Sequence, residues 1–225
     1  MWRILLGENE LGPSPRVLSP DELARVRRFH FEKDRIHFAR CRSALRDLLS
    51  RYLQIRATEI HFKYQSKGKP ELSQEHNPRR LCFNVSHSAG LALIAVGAEH
   101  VLGVDIEKIR PDVDTATLAE RFFSERERSG LAALPDHLRV QSFFACWTRK
   151  EAFLKATGFG LSFPLSGFSV STHPERDPEL EEIQGDPQSA KRWSLLDIQA
   201  EKDYRATVAI QCVEPTLATF VYRGC

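Results

Sequence analysis

The feature that most constrains the fold is a long helical stretch followed by short strand-like runs, a pattern that occurs twice. The first helical stretch covers residues 19–55 and begins with Ser-Pro, a typical helix start. Its apolar residues recur at spacings of three and four and define one face: Phe38, Cys41, Leu45, Leu48, Leu49 and Tyr52. The second stretch covers residues 137–158 and ends at Gly158, a residue typical of helix C-termini. The pattern predicts a duplicated α+β unit with its junction near residues 97–104.

The runs between the two helical stretches predict a sheet. Residues 81–88 and 91–99 read as two strands joined at SHSAG, and residues 101–109 follow as a third. Because the three strands follow one another without a helix between them, they predict an antiparallel arrangement. We therefore predict an α+β subdomain at residues 1–103 and a second at residues 104–225.

The composition excludes several protein classes. The 225-residue chain is 42% hydrophobic and 28% charged, which is typical of a soluble globular protein. No apolar run approaches the ~18–20 residues of a membrane span, and the N-terminus has only a short apolar core followed by acids, so neither a membrane anchor nor a signal peptide is predicted. The five cysteines include no C-x-x-C pair, which argues against a disulfide scaffold or a zinc site and favours the cytoplasm.

The net charge is only +2, but the charge is unevenly distributed. Residues 21–56 contain ten Lys or Arg and five Asp or Glu, whereas residues 99–136 contain nine acids and five bases. A basic and an acidic segment could bind an anion and a cation respectively. Two solvated helix faces explain the same counts, and the counts alone favour that alternative.

The motif GVDIEKI contains two acids at alternate positions of a predicted strand. Asp105 and Glu107 therefore point to the same face, with their Cα atoms ~6.5–7 Å apart. Two such carboxylates could share Mg²⁺, which binds one or two acids and completes its shell with water and phosphate oxygens. Taken alone, two exposed acids on a strand edge are the more common situation.

Two turns carry groups suited to a phosphate. FNVSHSAG places hydroxyls and an imidazole between two strands, and SKGKP places two lysines around a glycine. The alternative for FNVSHSAG is an ordinary polar hairpin turn, and SKGKP taken alone favours a solvated turn over a phosphate contact. A Ser-His nucleophile pair is not predicted, because adjacent residues rarely face each other and no G-x-S-x-G motif is present.

The motif CWTRKEAFLKATG places Trp147, Glu151 and Lys155 at positions i, i+4 and i+8, on one stripe of the second helix. A glutamate on a stripe that begins with tryptophan is expected to be partly buried, and Lys155 one turn on can compensate its charge. The alternative is a surface ion pair worth ~0.3–0.5 kcal/mol. Paired acids, a third carboxylate and several cations together indicate magnesium-assisted chemistry on a phosphate or diphosphate.

The motifs FNVSHS, GVDIE, FFSERE and WTRKEAFLKATGFGL, in this order, resemble those of the Sfp-type 4′-phosphopantetheinyl transferases, which activate carrier proteins. The resemblance covers about residues 20–170. It implies transfer of the phosphopantetheine arm of coenzyme A to a serine of an apo carrier protein (acyl, polyketide or nonribosomal peptide), with Mg²⁺ or alternatively Mn²⁺, and release of 3′,5′-ADP. It also implies a pseudo-twofold pair of similar α+β subdomains, each a long helix on a small antiparallel sheet, with the active site in the cleft between them. Because 225 residues can form that cleft within one chain, a monomer is expected.

The resemblance also implies roles for individual residues. The expected metal ligands are Asp105, Glu107 and Glu151. The expected catalytic residues are Glu151 as general base, Lys155 against the phosphates, and Glu127. The expected coenzyme A contacts are Arg42, Lys67, Gly68, Lys69, Ser86, His87, Asp105, Lys150 and Lys155. If Lys150 and Lys155 dominate the surroundings of Glu151, its pKa is expected to lie below the ordinary range, which favours the role of ligand over that of base.

Two other functions use the same residues. A magnesium-dependent phosphohydrolase would need the same acids and lysines, with water as the nucleophile. A non-enzymatic module that binds nucleic acid or coenzyme A would rest on the basic segment. Nucleic acid is not expected as a partner, because few aromatic residues are interleaved with the basic cluster and the net charge is close to neutral.

Overall fold

The computed structural model of the protein describes residues 1–7, 17–65, 68–158 and 160–224. The helices are α1 (Pro20–Arg28), α2 (Glu32–Leu53), α3 (Thr115–Phe122), α4 (Glu125–Ala132), α5 (Asp136–Thr157) and α6 (Pro187–Ala190). The strands are β1 (Trp2–Leu5), β2 (Phe62–Tyr64), β3 (Pro70–Leu72), β4 (Leu81–Ser88), β5 (Leu91–Ala98), β6 (Leu102–Lys108), β7 (Phe168–Val170), β8 (Leu180–Ile183), β9 (Ser194–Asp197), β10 (Tyr204–Ile210) and β11 (Phe220–Val221). Within these ranges, no helix is both long enough and apolar enough to cross a membrane.

The first half of the protein packs α2 on a sheet with the strand order β11-β1-β5-β4. Strands β1, β5 and β4 are antiparallel neighbours, and β11 runs parallel to β1. The apolar face predicted for the first helical stretch is the face that α2 buries. Leu45, Leu48 and Leu49 are at most 1% exposed, and they belong to one core cluster with Ile4 and Ile94 of the sheet.

The stretch predicted as one helix over residues 19–55 is two helices. The backbone is extended at Phe29, which ends α1, and at Phe31, which precedes α2. Arg35, in the first turn of α2, donates a hydrogen bond from Nε to the Phe29 carbonyl (2.9 Å) and so holds the break in place. The spacing of the apolar residues does not reveal so short a break, so the sequence predicted a single helix.

The second half repeats the arrangement with α5 on the antiparallel sheet β6-β10-β9. Helices α2 and α5 each have 22 residues. Both are followed by a residue in the left-handed conformation, Gln54 (φ 58°) and Gly158 (φ 72°), so the predicted C-terminal end of the second helix is confirmed. Two helices on two small sheets confirm the α+β class.

The third strand of the predicted run belongs to a different sheet, so the expectation of one antiparallel sheet from β4 to β6 is wrong. Strand β6 pairs along its whole length with β10 rather than with β5. Val104 and Ile106 of β6 instead pack with Leu91 and Leu93 of β5 in an apolar layer between the two sheets. Local patterns identify strands, but they do not encode a pairing partner so far along the chain.

The last strand crosses between the two halves. Strand β11 falls in the range 104–225, which the sequence predicted as the second subdomain, yet it pairs with β1 of the first sheet. The Phe220 amide donates to the Met1 carbonyl (2.9 Å), and the Met1 amine donates to the Ala218 carbonyl (2.7 Å). Residues from the predicted second subdomain therefore supply one strand of the first sheet.

Gly103 sets the separation between α5 and β6. A Cβ atom at this position would overlap the Ala152 carbonyl oxygen and the Ala156 nitrogen of α5, and would lie 2.9 Å from the Ala156 Cα atom. These are backbone atoms of a helix, so they cannot move aside individually. The glycine thus allows the helix to lie directly on the strand that carries Asp105 and Glu107.

We expect Gly103→Ala to destabilise the fold by about 1–3 kcal/mol, because the methyl group forces α5 away from β6. Urea unfolding measures the change. Gly97→Ala is a matched control, since its Cβ would meet only the end of the Leu102 side chain (2.8 Å), which can rotate away. Equal stability of the two variants would show that Gly103 does not control the spacing.

Candidate active site

The acids of GVDIE project toward α5. Side chains alternate along β6, so Asp105 and Glu107 share the side of Gly103, which lies against α5. Val104 and Ile106, on the other side, are completely buried between the sheets. The sequence prediction that both acids share one face follows from the same alternation.

Strand β4 meets the outer edge of β6 through side chains rather than through a backbone ladder. Three alternate side chains of β4 accept hydrogen bonds from three alternate N–H groups of β6. The pairs are Asn84 Oδ1 with Val104 N (2.9 Å), Ser86 Oγ with Ile106 N (3.4 Å) and Ser88 Oγ with Lys108 N (3.1 Å). We call this set of contacts the β4–β6 seam. It joins the two sheets along one border of the site.

Asp105 is the most deeply placed acid, at 3% exposed. Its Oδ1 accepts hydrogen bonds from Ser86 Oγ (2.9 Å) and Lys155 Nζ (2.5 Å). Its Oδ2 is buried and has no hydrogen-bond partner among the described residues. An unsatisfied buried acceptor costs ~1–3 kcal/mol, and such groups in a native fold are candidates for a functional role.

Glu107 and Glu151 are half-buried beside Asp105. Burial raises the pKa of Glu107, and the charge of Asp105 raises it further. Burial and Asp105 likewise raise the pKa of Glu151, while Lys155 acts in the opposite direction. The expectation of a lowered pKa for Glu151 is therefore reversed, because Lys155 bonds Asp105 and Lys150 points elsewhere.

The basic residues around Glu151 in the sequence go to three different acids. Arg149 Nη2 bonds Asp197 Oδ2 (2.5 Å), Lys150 Nζ bonds Glu127 Oε1 (2.5 Å) and Lys155 Nζ bonds Asp105 Oδ1 (2.5 Å). Successive side chains on a helix point about 100° apart, which separates these partners. Of the three cations, only Lys155 faces the acids of β6.

Glu127 and Lys150 form a fully buried ion pair, at 1% and 0% exposed. Both partners make further hydrogen bonds. Lys150 also donates to the Phe168 carbonyl (2.6 Å), and Glu127 accepts from the amides of Val170 (2.9 Å) and Ser124 (2.8 Å). Both side chains are thus bonded to groups within the protein. The catalytic role of Glu127 and the coenzyme A contact of Lys150 stay predictions, and this ion pair lends neither of them direct support.

We expect Lys150→Met to cost about 3–5 kcal/mol of stability in urea unfolding, because it leaves the Glu127 charge buried and unpaired. The double variant Glu127→Gln/Lys150→Met should recover much of this loss. A double variant that is folded but inactive would support the predicted chemical role of Glu127.

The SKGKP turn reaches the end of α5. Lys69 Nζ donates to the carbonyls of Lys155 (2.6 Å) and Ala156 (3.0 Å), the last-turn carbonyls that a helix leaves unsatisfied. Gly68 has a positive φ of 81°, which suits glycine in this turn. Lys67 lies outside the described residues.

A slot of about 320 Å³ opens between this turn, β4 and α5. Its apolar walls include Pro70, Phe83, Val85 and Leu154. Lys69, Glu151 and Lys155 line the same slot. Apolar walls with a few charged groups are typical of a small-molecule site.

Two residues predicted to contact coenzyme A, His87 and Arg42, lie on the side of α2. His87 follows Ser86 on β4 and so points to the opposite face; burial and the charge of Lys155 lower its pKa. Arg42 is buried at 9% exposed, with its guanidinium 5.0 Å from the centre of the Phe62 ring and its Nε 3.5 Å from Glu22 Oε1. Neither residue contributes to the lining of the slot. Their contacts with coenzyme A stay predictions.

The acids fit a divalent cation that takes most of its ligands from elsewhere. Among the described residues, no group of three His, Cys, Asp or Glu side chains is arranged to hold a metal ion by itself. Magnesium does not require such a cage, because it binds one or two protein carboxylates and completes its shell with water and phosphate oxygens. The unbonded Asp105 Oδ2 and the neighbouring Glu107 carboxylate are donors of that kind.

The sequence prediction missed Asn84 and did not foresee that Ser88 touches an acid. Ser88 Oγ donates to Glu107 Oε2 (2.8 Å). The available signal was the alternation N-x-S-x-S within FNVSHS, which places three short polar side chains on one face of a strand.

The chain matches known proteins over most of its length. Residues 101–209 match the family described as the 4′-phosphopantetheinyl transferase superfamily, and residues 8–99 match 4′-phosphopantetheinyl transferase, N-terminal. The chain is 40% identical over 212 residues to the 4′-phosphopantetheinyl transferase HetI of Nostoc sp., covering 93% of this chain and 86% of that protein. It is 34% identical over 167 residues to the 4′-phosphopantetheinyl transferase Sfp of Bacillus subtilis, covering 73% and 70%. A solved holo-(acyl-carrier-protein) synthase from Bacillus anthracis, in complex with CoA (3′,5′-ADP), aligns at 22% identity and a TM-score of 0.40, over 51% of this chain and 98% of that chain.

Proposed function

Because the chain belongs to the 4′-phosphopantetheinyl transferase superfamily, we propose that it transfers the 4′-phosphopantetheine arm of coenzyme A to a serine of an apo carrier protein and releases 3′,5′-ADP. The observation that carries this proposal is the placement of Glu107 and Glu151 close enough to Asp105 for its charge to act on both, with Lys155 bonded to Asp105. Phosphoryl-type transfer depends on positioning and charge neutralisation more than on covalent catalysis, and this group provides both.

Asp105 and Glu107 are the residues that would hold Mg²⁺, with Glu151 as a third ligand and Mn²⁺ as an alternative ion. When bound, the ion supplies charge neutralisation on the diphosphate of coenzyme A. The fit rests on the buried Asp105 Oδ2, which no group of the described protein satisfies.

Lys155 has a flexible side chain that can exchange one anion for another. It bonds Asp105 Oδ1 in the ligand-free protein and also lines the slot, so an incoming phosphate competes for the same ammonium. We assign Lys155 to the diphosphate of coenzyme A, where its charge stabilises the leaving 3′,5′-ADP.

Glu151 is the general base of the proposed reaction. The acceptor serine oxygen forms a bond to the β-phosphorus of coenzyme A, and the bond from that phosphorus to the bridging oxygen of 3′,5′-ADP breaks. Glu151 takes the serine proton on a carboxylate oxygen, and 3′,5′-ADP leaves with the electron pair. Because burial raises the pKa of Glu151, its carboxylate is a better proton acceptor than a solvated glutamate.

The apolar slot is the proposed place for the nucleotide end of coenzyme A. A flat base can pack between Pro70, Phe83 and Leu154, while Lys69 and Gly68 border the same space. The phosphates would then lie toward Glu151 and Lys155. Ser86, predicted as a coenzyme A contact, bonds Asp105 and Lys155 instead and is assigned to the support of those groups.

The proposed oligomeric state, cellular location and protein partner follow from the same proposal. Both helix-on-sheet halves lie in one chain, which supports a monomer as the active form. The cysteine pattern supports a cytoplasmic location. The partner is an acyl, polyketide or nonribosomal peptide carrier protein.

Intact-mass spectrometry tests the function. The protein is incubated with coenzyme A, Mg²⁺ and several unrelated apo carrier proteins, with an EDTA sample as control. We expect a mass gain of one phosphopantetheine on a carrier, and none with EDTA. Release of 3′,5′-ADP without any carrier would instead indicate a hydrolase, and coenzyme A binding without either reaction would indicate a binding module.

A further inference from the structure

We propose that Ser88 is a positioning residue that orients Glu107 for the metal and the diphosphate, and that Ser86 does the same for Asp105. The inference rests on the proposed function, because it concerns the acids assigned to the metal. Neither serine needs to touch the substrate. Each acts through the carboxylate to which it donates.

The hydrogen-bond pattern fixes the direction of the Ser88 proton. A hydroxyl has one proton to donate and two lone pairs that accept. Ser88 Oγ accepts from the Lys108 amide (3.1 Å), so its proton is free to go to Glu107 Oε2 at 2.8 Å. The amide belongs to the residue next to Glu107, so backbone and side chain are held by one hydroxyl.

The direction of the Ser86 hydroxyl proton is determined more tightly than that of Ser88. Its Oγ accepts from the Ile106 amide (3.4 Å) and from Lys155 Nζ (2.8 Å), which occupies both lone pairs. The hydroxyl proton therefore goes to Asp105 Oδ1 at 2.9 Å. The same oxygen accepts Lys155, so Ser86, Asp105 and Lys155 form a closed triangle.

Each serine engages one oxygen of its acid and leaves the other for a cation. In Asp105 the remaining oxygen, Oδ2, is buried, and no group in the part of the chain that the structure describes bonds it. In Glu107 the bond from Ser88 is to Oε2 and leaves Oε1. A carboxylate fixed in this way presents one oxygen in a defined orientation. Hydrogen-bond partners that orient metal ligands in this manner raise the affinity for the metal.

Asn84 provides an internal comparison. Its Oδ1 accepts from the Val104 amide (2.9 Å), so it makes the same kind of seam contact as the serines, but to the residue before Asp105. An amide oxygen has no proton to donate, and Asn84 donates to neither acid in this structure. If the seam only joined the sheets, the three positions would be equivalent.

The test compares Ser88→Ala, Ser88→Thr and a control, Ser194→Ala, by calorimetry of coenzyme A binding, at a series of Mg²⁺ concentrations and in EDTA. Ser194 lies on β9, away from the slot, and its Oγ donates to the Cys212 carbonyl (2.8 Å). We expect Ser88→Ala to need about 10- to 100-fold more Mg²⁺ to strengthen coenzyme A binding. Its affinity in EDTA should equal that of the unaltered protein. Ser88→Thr keeps the hydroxyl and should restore the magnesium dependence of the unaltered protein. Ser194→Ala should leave that magnesium dependence unchanged.

The outcomes separate this inference from the proposed function. An unaltered Mg²⁺ requirement in Ser88→Ala, or an equal shift in Ser194→Ala, would overturn the positioning role alone. Should Ser88→Ala fail to fold, Ser88→Cys carries the same comparison with a weaker hydrogen bond. If the unaltered protein binds coenzyme A equally with and without Mg²⁺, the assignment of the acids to a metal fails instead.

Discussion

Replacing Glu151 with glutamine is expected to lower the rate of phosphopantetheine transfer by about 10²- to 10⁴-fold, the usual contribution of a general base. Glutamine has nearly the same size and keeps an oxygen that can bind a cation, but it cannot take a proton. Among the described residues, Lys155 pairs with Asp105 and Glu151 forms no ion pair, so the fold should be retained. Single-turnover transfer to a carrier and the thermal midpoint are the two measurements.

Asp136→Asn is the matched control for this variant. Asp136 is an acid on the same helix, α5, but lies in its first turn with a side chain that is 91% exposed. Its replacement should leave transfer unchanged. A rate close to that of the unaltered protein for Glu151→Gln would refute the assignment of the base.

Replacing Asp105 with asparagine is expected to reduce transfer by at least about 10²-fold and to abolish the effect of Mg²⁺ on coenzyme A binding. Two functions are lost at once. The buried Asp105 side chain loses the negative charge that a hard cation needs. Lys155 loses the anion that holds it beside the site. Glu151→Gln, by contrast, should keep most of the binding and lose the rate, so the two variants are distinguishable by calorimetry.

The same substitution should change how stability depends on pH in the metal-free protein. Burial, and after it the charge of Asp105, raises the pKa of both Glu107 and Glu151 above the ordinary value, so the folded state binds more protons than the unfolded chain. Stability is therefore lost as the pH rises through the range in which these acids ionise, from about pH 4 upward. Asp105→Asn should lose less stability over that range in urea unfolding with EDTA. Asp112→Asn, an exposed acid nearby, serves as control.

Simple periodicities predicted the parts of the site that lie on single elements. The alternation of a strand placed Asp105 and Glu107 on one face, and the helical spacing placed Glu151 and Lys155 on one stripe. Both predictions needed only the local element to be right. The sequence did not contain the distance between strand and helix, which depends on Gly103 and its contact with α5.

The same reasoning could not decide which acid each cation meets. Lys150 is adjacent to Glu151 in the sequence, yet it crosses to Glu127 on α4, because neighbours on a helix point in different directions. Its partner is fixed by how α4 packs on α5, which is a tertiary feature. The expectation of a lowered pKa for Glu151 depended on this missing information.

The pairing of β11 with β1 has a consequence for how the chain folds. The bond between the Met1 amine and the Ala218 carbonyl joins residues 217 positions apart, and contacts of such high sequence separation slow folding. Until β11 arrives, the outer edge of β1 has unpaired N–H and C=O groups. Such an edge is a template for another chain, so aggregation during synthesis should begin at β1.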